Sequence, residues 1–181
     1  GVIGLTADNS PVSSKPVNLK FSNSIDTAER EAARLRKAGA DLIVLIAHAD
    51  RPLDQQLYAS GVADVILSGH DHDLYMNFNE KTAIVESGED GMMVAAIDLK
   101  VSIDDKGDGK RKVRWWPHFR FVDTADATPD PKVEARVADY TKELGAELGQ
   151  PIGTTTTELD SRNATVRGGE AAIGNLFADA V

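Results

Sequence analysis

Between residues 26 and 69 the sequence passes twice from a helical pattern to an unbroken apolar run, and this alternation restricts the fold more than anything else in the chain. Asp26 with Glu29 reads as a capping box, Ala28, Ala32 and Leu35 keep helical spacing, and Gly39 stops the helix. An apolar strand over 42–47 follows at once. A second helix over 52–60, begun at Asp50 or Arg51 and ended by Gly61, leads into another apolar strand over 64–68. Strands covered on both faces are apolar throughout, and their repetition with helices signals a parallel sheet with crossover connections. In such sheets ligands bind beyond the carboxyl ends of the strands. His48 stands at the end of the first run, and Gly69-His70-Asp71-His72 ends the second.

Those histidines are the candidate chemistry. In extended backbone, residues i and i+2 point the same way, so His70 and His72 are expected to converge, with His48 at the mouth of the neighbouring strand. Neutral imidazole is the commonest side-chain ligand for transition metals, which makes His48, His70 and His72 candidate metal ligands. Asp71 offers a carboxylate for orientation, and Asp50 is better placed to cap the following helix than to ligate.

Around this unit the remaining chain is simpler. Residues 1–5 read as a strand and 6–24 as a polar loop with Pro11 and Pro16. From Leu74 the runs 74–78, 82–86, 93–103 and 111–122 read as antiparallel strands, the last two joined by a hairpin loop over 104–109. Val113, Trp115, Phe119 and Phe121 alternate with Arg114, Trp116, His118 and Arg120, giving one buried and one wet face, with His118 on the wet one. After a polar connector over 123–130, Pro131 opens a helix with Val133, Val137, Tyr140, Leu144 and Leu148 on one side. A strand over 152–158 and a helix over 174–181 complete the chain.

Composition narrows the function. A net charge of −9 over 181 residues disfavours nucleic acid and anionic membranes as partners, so the Lys110-Arg111-Lys112 run beside Trp115 and Trp116 is read as strand surface. With no cysteine, disulfides and thiolate sites are excluded and any metal is held by nitrogen and oxygen. No apolar run reaches the ~18 residues of a membrane span. A start without methionine, inside a strand, and an end inside a helix lead us to expect an excerpt of a longer protein.

The helix, the Gly-Ala-Asp step at 39–41, the strand ending in His48 and the Val-Ile-Leu-Ser-Gly-His-Asp-His stretch at 65–72 together resemble the second half of a calcineurin-like metallophosphoesterase domain. The branch most similar is that of 5′-nucleotidases, 2′,3′-cyclic phosphodiesterases and UDP-sugar hydrolases. Leu159-Asp160-Ser161-Arg162, Val166-Arg167, Glu170 and the 173–180 segment resemble the opening of the 5′-nucleotidase C-terminal domain. The resemblance implies an α/β fold: a partial metallophosphoesterase sandwich of mixed sheets with flanking helices, then a linker helix and the first elements of an α/β C-terminal domain. The implied boundaries are 1–123, 124–150 and 151–181.

In that family two divalent ions (Mn, Zn, Fe or Co) activate water and clamp a phosphate. By position the resemblance assigns His48 and His70 to one ion, His72 to the other, and Arg167 to the nucleotide; Arg162 is read as structural. The family's earlier Asp-x-His, bridging Asp and Asn-His elements precede this stretch, so no catalytic residue is expected here. The chain alone is expected to be inactive and to hold one weak metal or none. The implied substrate is a nucleotide or other small phosphate ester, and the implied location periplasmic or secreted. The open edge of the opening strand suggests a homo-oligomer. Two other readings share the layout: a thiosulfohydrolase of sulfur oxidation, and a non-catalytic scaffold domain.

Overall fold

The computed structural model describes residues 1–13, 16–105, 107, 111–151 and 153–181. The chain divides into two compact units, Gly1–Ala127 and Thr128–Val181. In the first, β1 (Val2–Leu5), the short α1 (Ser10–Ser13), α2 (Ser24–Lys37), β2 (Val44–His48), α3 (Arg51–Ser60) and β3 (Val65–Gly69) follow in order. Next come β4 (Leu74–Phe78), β5 (Ala83–Ser87) and the long β6 (Met93–Asp105) and β7 (Arg111–Asp123). The expected α/β class and mixed sheet are present. The hairpin loop expected at 104–109 falls largely outside the described residues.

One sheet has the order β1-β2-β3-β5-β4; the other is the β6-β7 hairpin. β1, β2, β3 and β5 are mutually parallel, and only β4 runs against its neighbour. The antiparallel pattern expected from Leu74 onward is therefore corrected at β5, which joins β3 in parallel. β4 leaves β3, takes the edge, and β5 returns between them.

The core lies on one face of this sheet. Ile3, Leu45, Ile66 and Ile84 are in register across four strands and all buried. Ala28 and Ala32 of α2 and Leu53 and Leu57 of α3 cover them. The opposite face was expected to be covered too, but Ile46, Leu67 and Met76, aligned through Val85, stay exposed. The continuous apolar runs thus meet a helix layer on one side only.

Local chemistry sets the helix ends. The α2 cap is Asn23, whose Oδ1 accepts from the Asp26 N–H at 3.0 Å, so Asp26 lies in the first turn instead of capping it. The neighbouring Ser24 is held by Asp8, its hydroxyl donating at 2.5 Å, which draws the helix start upstream. Asp50 caps α3 by accepting from the Leu53 N–H at 3.1 Å, and Gly61 ends it at φ 65°. Asp64, at the entry to β3, accepts from the Ile43 N–H at 2.7 Å and from Arg36 at 2.5 Å, tying the end of α2 to the sheet.

In the second unit α4 (Pro131–Leu148) starts at an Asp130 cap, followed by α5 (Asn163–Val166) and α6 (Ala172–Ala180). Residues 153–158 form no strand, contrary to expectation, and 152 lies outside the described residues. Strands exist by pairing, and the described residues of this unit contain no strand for them to pair with.

Candidate functional site

β2 and β3 are parallel neighbours with His48 paired to Gly69, so His48 and the residue after Gly69 leave the sheet side by side. His70 Nδ1 lies 3.0 Å from His48 Nε2, with the rings edge to face at 79°. Both side chains are exposed. His72 behaves differently. Its Nδ1 lies 2.8 Å from Glu89 Oε2. Extended backbone was the premise for joining His70 to His72, and it does not hold: β3 ends at Gly69, and His70 and His72 have φ of 138° and 63°. The structure brings His48 and His70 together and directs His72 to a carboxylate.

The loop over 70–73 is anchored to the first turn of α3. The Arg51 N–H donates to Asp71 Oδ2 at 2.5 Å, and the Arg51 guanidinium pairs with Asp73 while lying over the Tyr75 ring at 3.8 Å. One turn later, Asp54 accepts from Ser68 at 2.6 Å and from Tyr75 at 3.1 Å. On β5 the Glu86 carboxyl is buried, 3.9 Å from Arg51.

Burial raises the Asp54 and Glu86 carboxyls above their ordinary values. For Asp54 the Ser68 and Tyr75 hydrogen bonds oppose that rise; for Glu86 the Asp73 backbone and Arg51 do so, while the Asp54 charge adds to it. Burial and Asp54 together also push the Tyr75 phenol well above its usual range.

Sequence reasoning singled out the histidines and missed Arg51, Asp54 and Glu86 as their supports. Glu86 carried a readable signal: a lone acid closing an apolar strand segment, opposite a helix that begins with arginine. Asp50 is the cap that was expected. His118 lies on the wet face of β7, 3.9 Å from Asp98. In the second unit Arg167 is exposed in the turn after α5. Arg162, also exposed, pairs through its fork with Asp160 at 2.8 and 2.6 Å and holds that carboxyl far below the usual range.

The chemistry of the donors tests the metal reading. Two nitrogens bound to one ion at about 2.0–2.1 Å lie about 2.9 Å apart at a right angle and about 3.4 Å apart at the tetrahedral angle. The 3.0 Å between His48 and His70 falls within that span. Among the described residues no group of three or more His, Asp or Glu side chains is gathered as a metal site. The separation matches both a hydrogen bond between the two rings and part of one ion's shell.

Comparison with known proteins gives the class. No family model matches the chain. An apyrase from Aedes albopictus is 27% identical over 99% of this chain, a 5′-nucleotidase from Bos taurus 26% over all of it, and a snake venom 5′-nucleotidase from Naja atra 26% over all of it. The chain spans only 35%, 34% and 37% of those proteins. A crystal structure from Staphylococcus aureus described as a 5′-nucleotidase, in complex with α-ketoglutarate, superposes with a TM-score of 0.64 at 19% identity. It covers 90% of this chain and 34% of its own, and shows the fold. The resemblance to these 5′-nucleotidases and apyrases runs along the whole chain.

Proposed function

We propose that this chain is part of a dimetal phosphoesterase acting on nucleotides. The reading is carried by one observation: His48 Nε2 and His70 Nδ1 stand 3.0 Å apart beyond the carboxyl ends of adjacent parallel strands. In this reading His48 and His70 hold one ion and His72 the other. The Glu89 contact at Nδ1 of His72 fixes its tautomer and leaves Nε2 as the ligating nitrogen. Bound divalent ions supply charge stabilisation at the phosphoryl oxygens.

The remaining assignments belong to the same proposal. Residues 1–123 are the latter half of the catalytic domain, 124–150 the linker helix, and 151–181 the start of the C-terminal domain, where Arg167 meets the nucleotide. Its planar fork suits phosphate or carboxylate. The 181-residue chain alone does not turn over substrate, because two converging imidazoles lack the anionic ligands that would balance two ions. The parent acts outside the cytoplasm, in keeping with relatives that include snake venom proteins. Among the described residues no helix is long and apolar enough to cross a membrane. The open edge of β1 gives a route for pairing with a second copy.

Titration with Zn²⁺ and Mn²⁺ after elemental analysis tests the site. At most weak binding of one ion is expected for the native chain, and any such binding is lost in His48→Ala/His70→Ala. Binding indifferent to that double substitution overturns the assignment. For the full-length protein, hydrolysis of AMP or bis-p-nitrophenyl phosphate is expected, and failure on both removes the nucleotide reading.

A further inference from the structure

Two residues of the 70–73 loop occupy backbone conformations that side-chain-bearing residues rarely adopt, His70 at φ 138° and His72 at φ 63°. Such conformations persist only where their surroundings over-determine them. Beside the Glu89 carboxylate at His72 and the Gly88 N–H on the Asp73 carbonyl, a set of these contacts comes from one helix turn. Asp54 receives hydrogen bonds from Ser68, before the loop, and Tyr75, after it. Arg51 reaches the loop itself twice, through its N–H to Asp71 and its guanidinium to Asp73. The same guanidinium lies on the Tyr75 ring and faces the buried Glu86.

We infer that Arg51 is a positioning residue: by joining Asp73, Tyr75 and Glu86 it holds the 70–73 loop in the strained conformation that sets His70 against His48. Only a planar, delocalised cation meets these demands together, since it stacks on a ring with its flat face and reaches two carboxyls from its edge. A lysine ammonium is a point charge and satisfies one partner at a time. The charged and titratable groups around the guanidinium are Asp54 on its own helix, Asp71 and Asp73 on the loop, Tyr75 on β4 and Glu86 on β5. Asp73 is the loop carboxylate that the guanidinium pairs with, so removal of Arg51 leaves it without its cation. The functional weight of this inference rests on the reading of His48 and His70 as ligands; its structural content does not.

The test compares Arg51→Gln, Arg51→Lys and Leu53→Ala in the intact chain, without metal and then with Zn²⁺. Leu53 is buried in the core on the same helix, its apolar side chain makes none of the hydrogen bonds or ion pairs that hold the loop, and it controls for general loss of stability. Arg51→Gln is expected to lower Tm less than Leu53→Ala, to speed amide exchange over 70–73 about tenfold, and to abolish the cross-peaks between the His48 and His70 rings. Arg51→Lys is expected to restore part of both signals. Unchanged exchange and cross-peaks in Arg51→Gln, or the same losses in Leu53→Ala, overturn the inference. If Arg51→Gln does not fold, Arg51→Lys is judged by the same two signals. A native chain that shows the ring cross-peaks yet binds no Zn²⁺ removes the metal reading while these comparisons still decide the role of Arg51.

Discussion

Replacing His70 by glycine and by alanine separates backbone strain from side-chain chemistry. Both variants lose the imidazole and its contact with His48, so they differ only in what position 70 demands of the backbone. At φ 138° glycine is unstrained and alanine is not. Conformations of this kind cost roughly 1–3 kcal/mol, while glycine's extra freedom in the unfolded chain costs about 0.5–1 kcal/mol relative to alanine. The difference favours glycine by about 1 kcal/mol, the reverse of the usual order. No neighbouring atom adds a steric term at the adjacent Gly69, where a built Cβ meets nothing within 4 Å. For a unit of this size the expected gap in Tm is about 3–5 °C, read by differential scanning calorimetry on the two variants side by side. His70→Ala as stable as His70→Gly, or more so, would falsify the strain argument and with it the view that the loop is held against its own preference.

The raised Glu86 carboxyl gives a pH dependence of definite sign. Burial makes the folded state keep a proton that the unfolded chain releases near the ordinary carboxylate value, so this group's contribution falls as pH rises from that value through the raised one. Glu86→Gln should flatten the fall in Tm between the two, and an unchanged pH profile would count against a raised Glu86. Leu57, fully buried between α3 and the sheet, should cost about 2–5 kcal/mol as Leu57→Ala in chemical denaturation; a cost below 1 kcal/mol would mean α3 is not packed as described. Asp50→Ala removes the α3 cap and should cost about 1 kcal/mol, and no loss by the same assay would assign the cap to another group.

The parts of the fold that could be read in the sequence were those governed by local signals. β2 and β3 stood out because the apolar runs Leu42–Ala47 and Val65–Leu67 between helix patterns have few other places to go, and Gly61 and Asp50 marked α3 through backbone geometry and a side-chain cap. The misjudged parts depend on partners far away in sequence. β5 carries nothing that distinguishes insertion beside β3 from a hairpin with β4. Residues 153–158 have strand-like composition, but the described residues of their unit include no strand to pair with. Asn23 outcompetes Asp26 as a cap because Asp8 holds Ser24. The side-by-side exit of His48 and His70 was legible, since each follows an apolar run that ends a helix-to-strand crossover. The turning away of His72 was not, because it follows from two positive φ angles held by residues distant in sequence, Arg51 and Asp54 on α3 and Gly88 and Glu89 after β5.

The strand order has a consequence in time. β4 is made before β5, yet its hydrogen-bonding partner in the sheet is β5, so its backbone remains unpaired until residues 83–87 thread between it and β3. The Asp73 carbonyl likewise gains its partner only when the Gly88 N–H arrives, at 2.9 Å. The histidine loop therefore closes with the last strand of the sheet and not with the strand that carries it. A growing chain that has exposed His70 and His72 but not yet Ser87 holds both histidines without the β5 pairing that ties β4, and with it the loop, into the sheet.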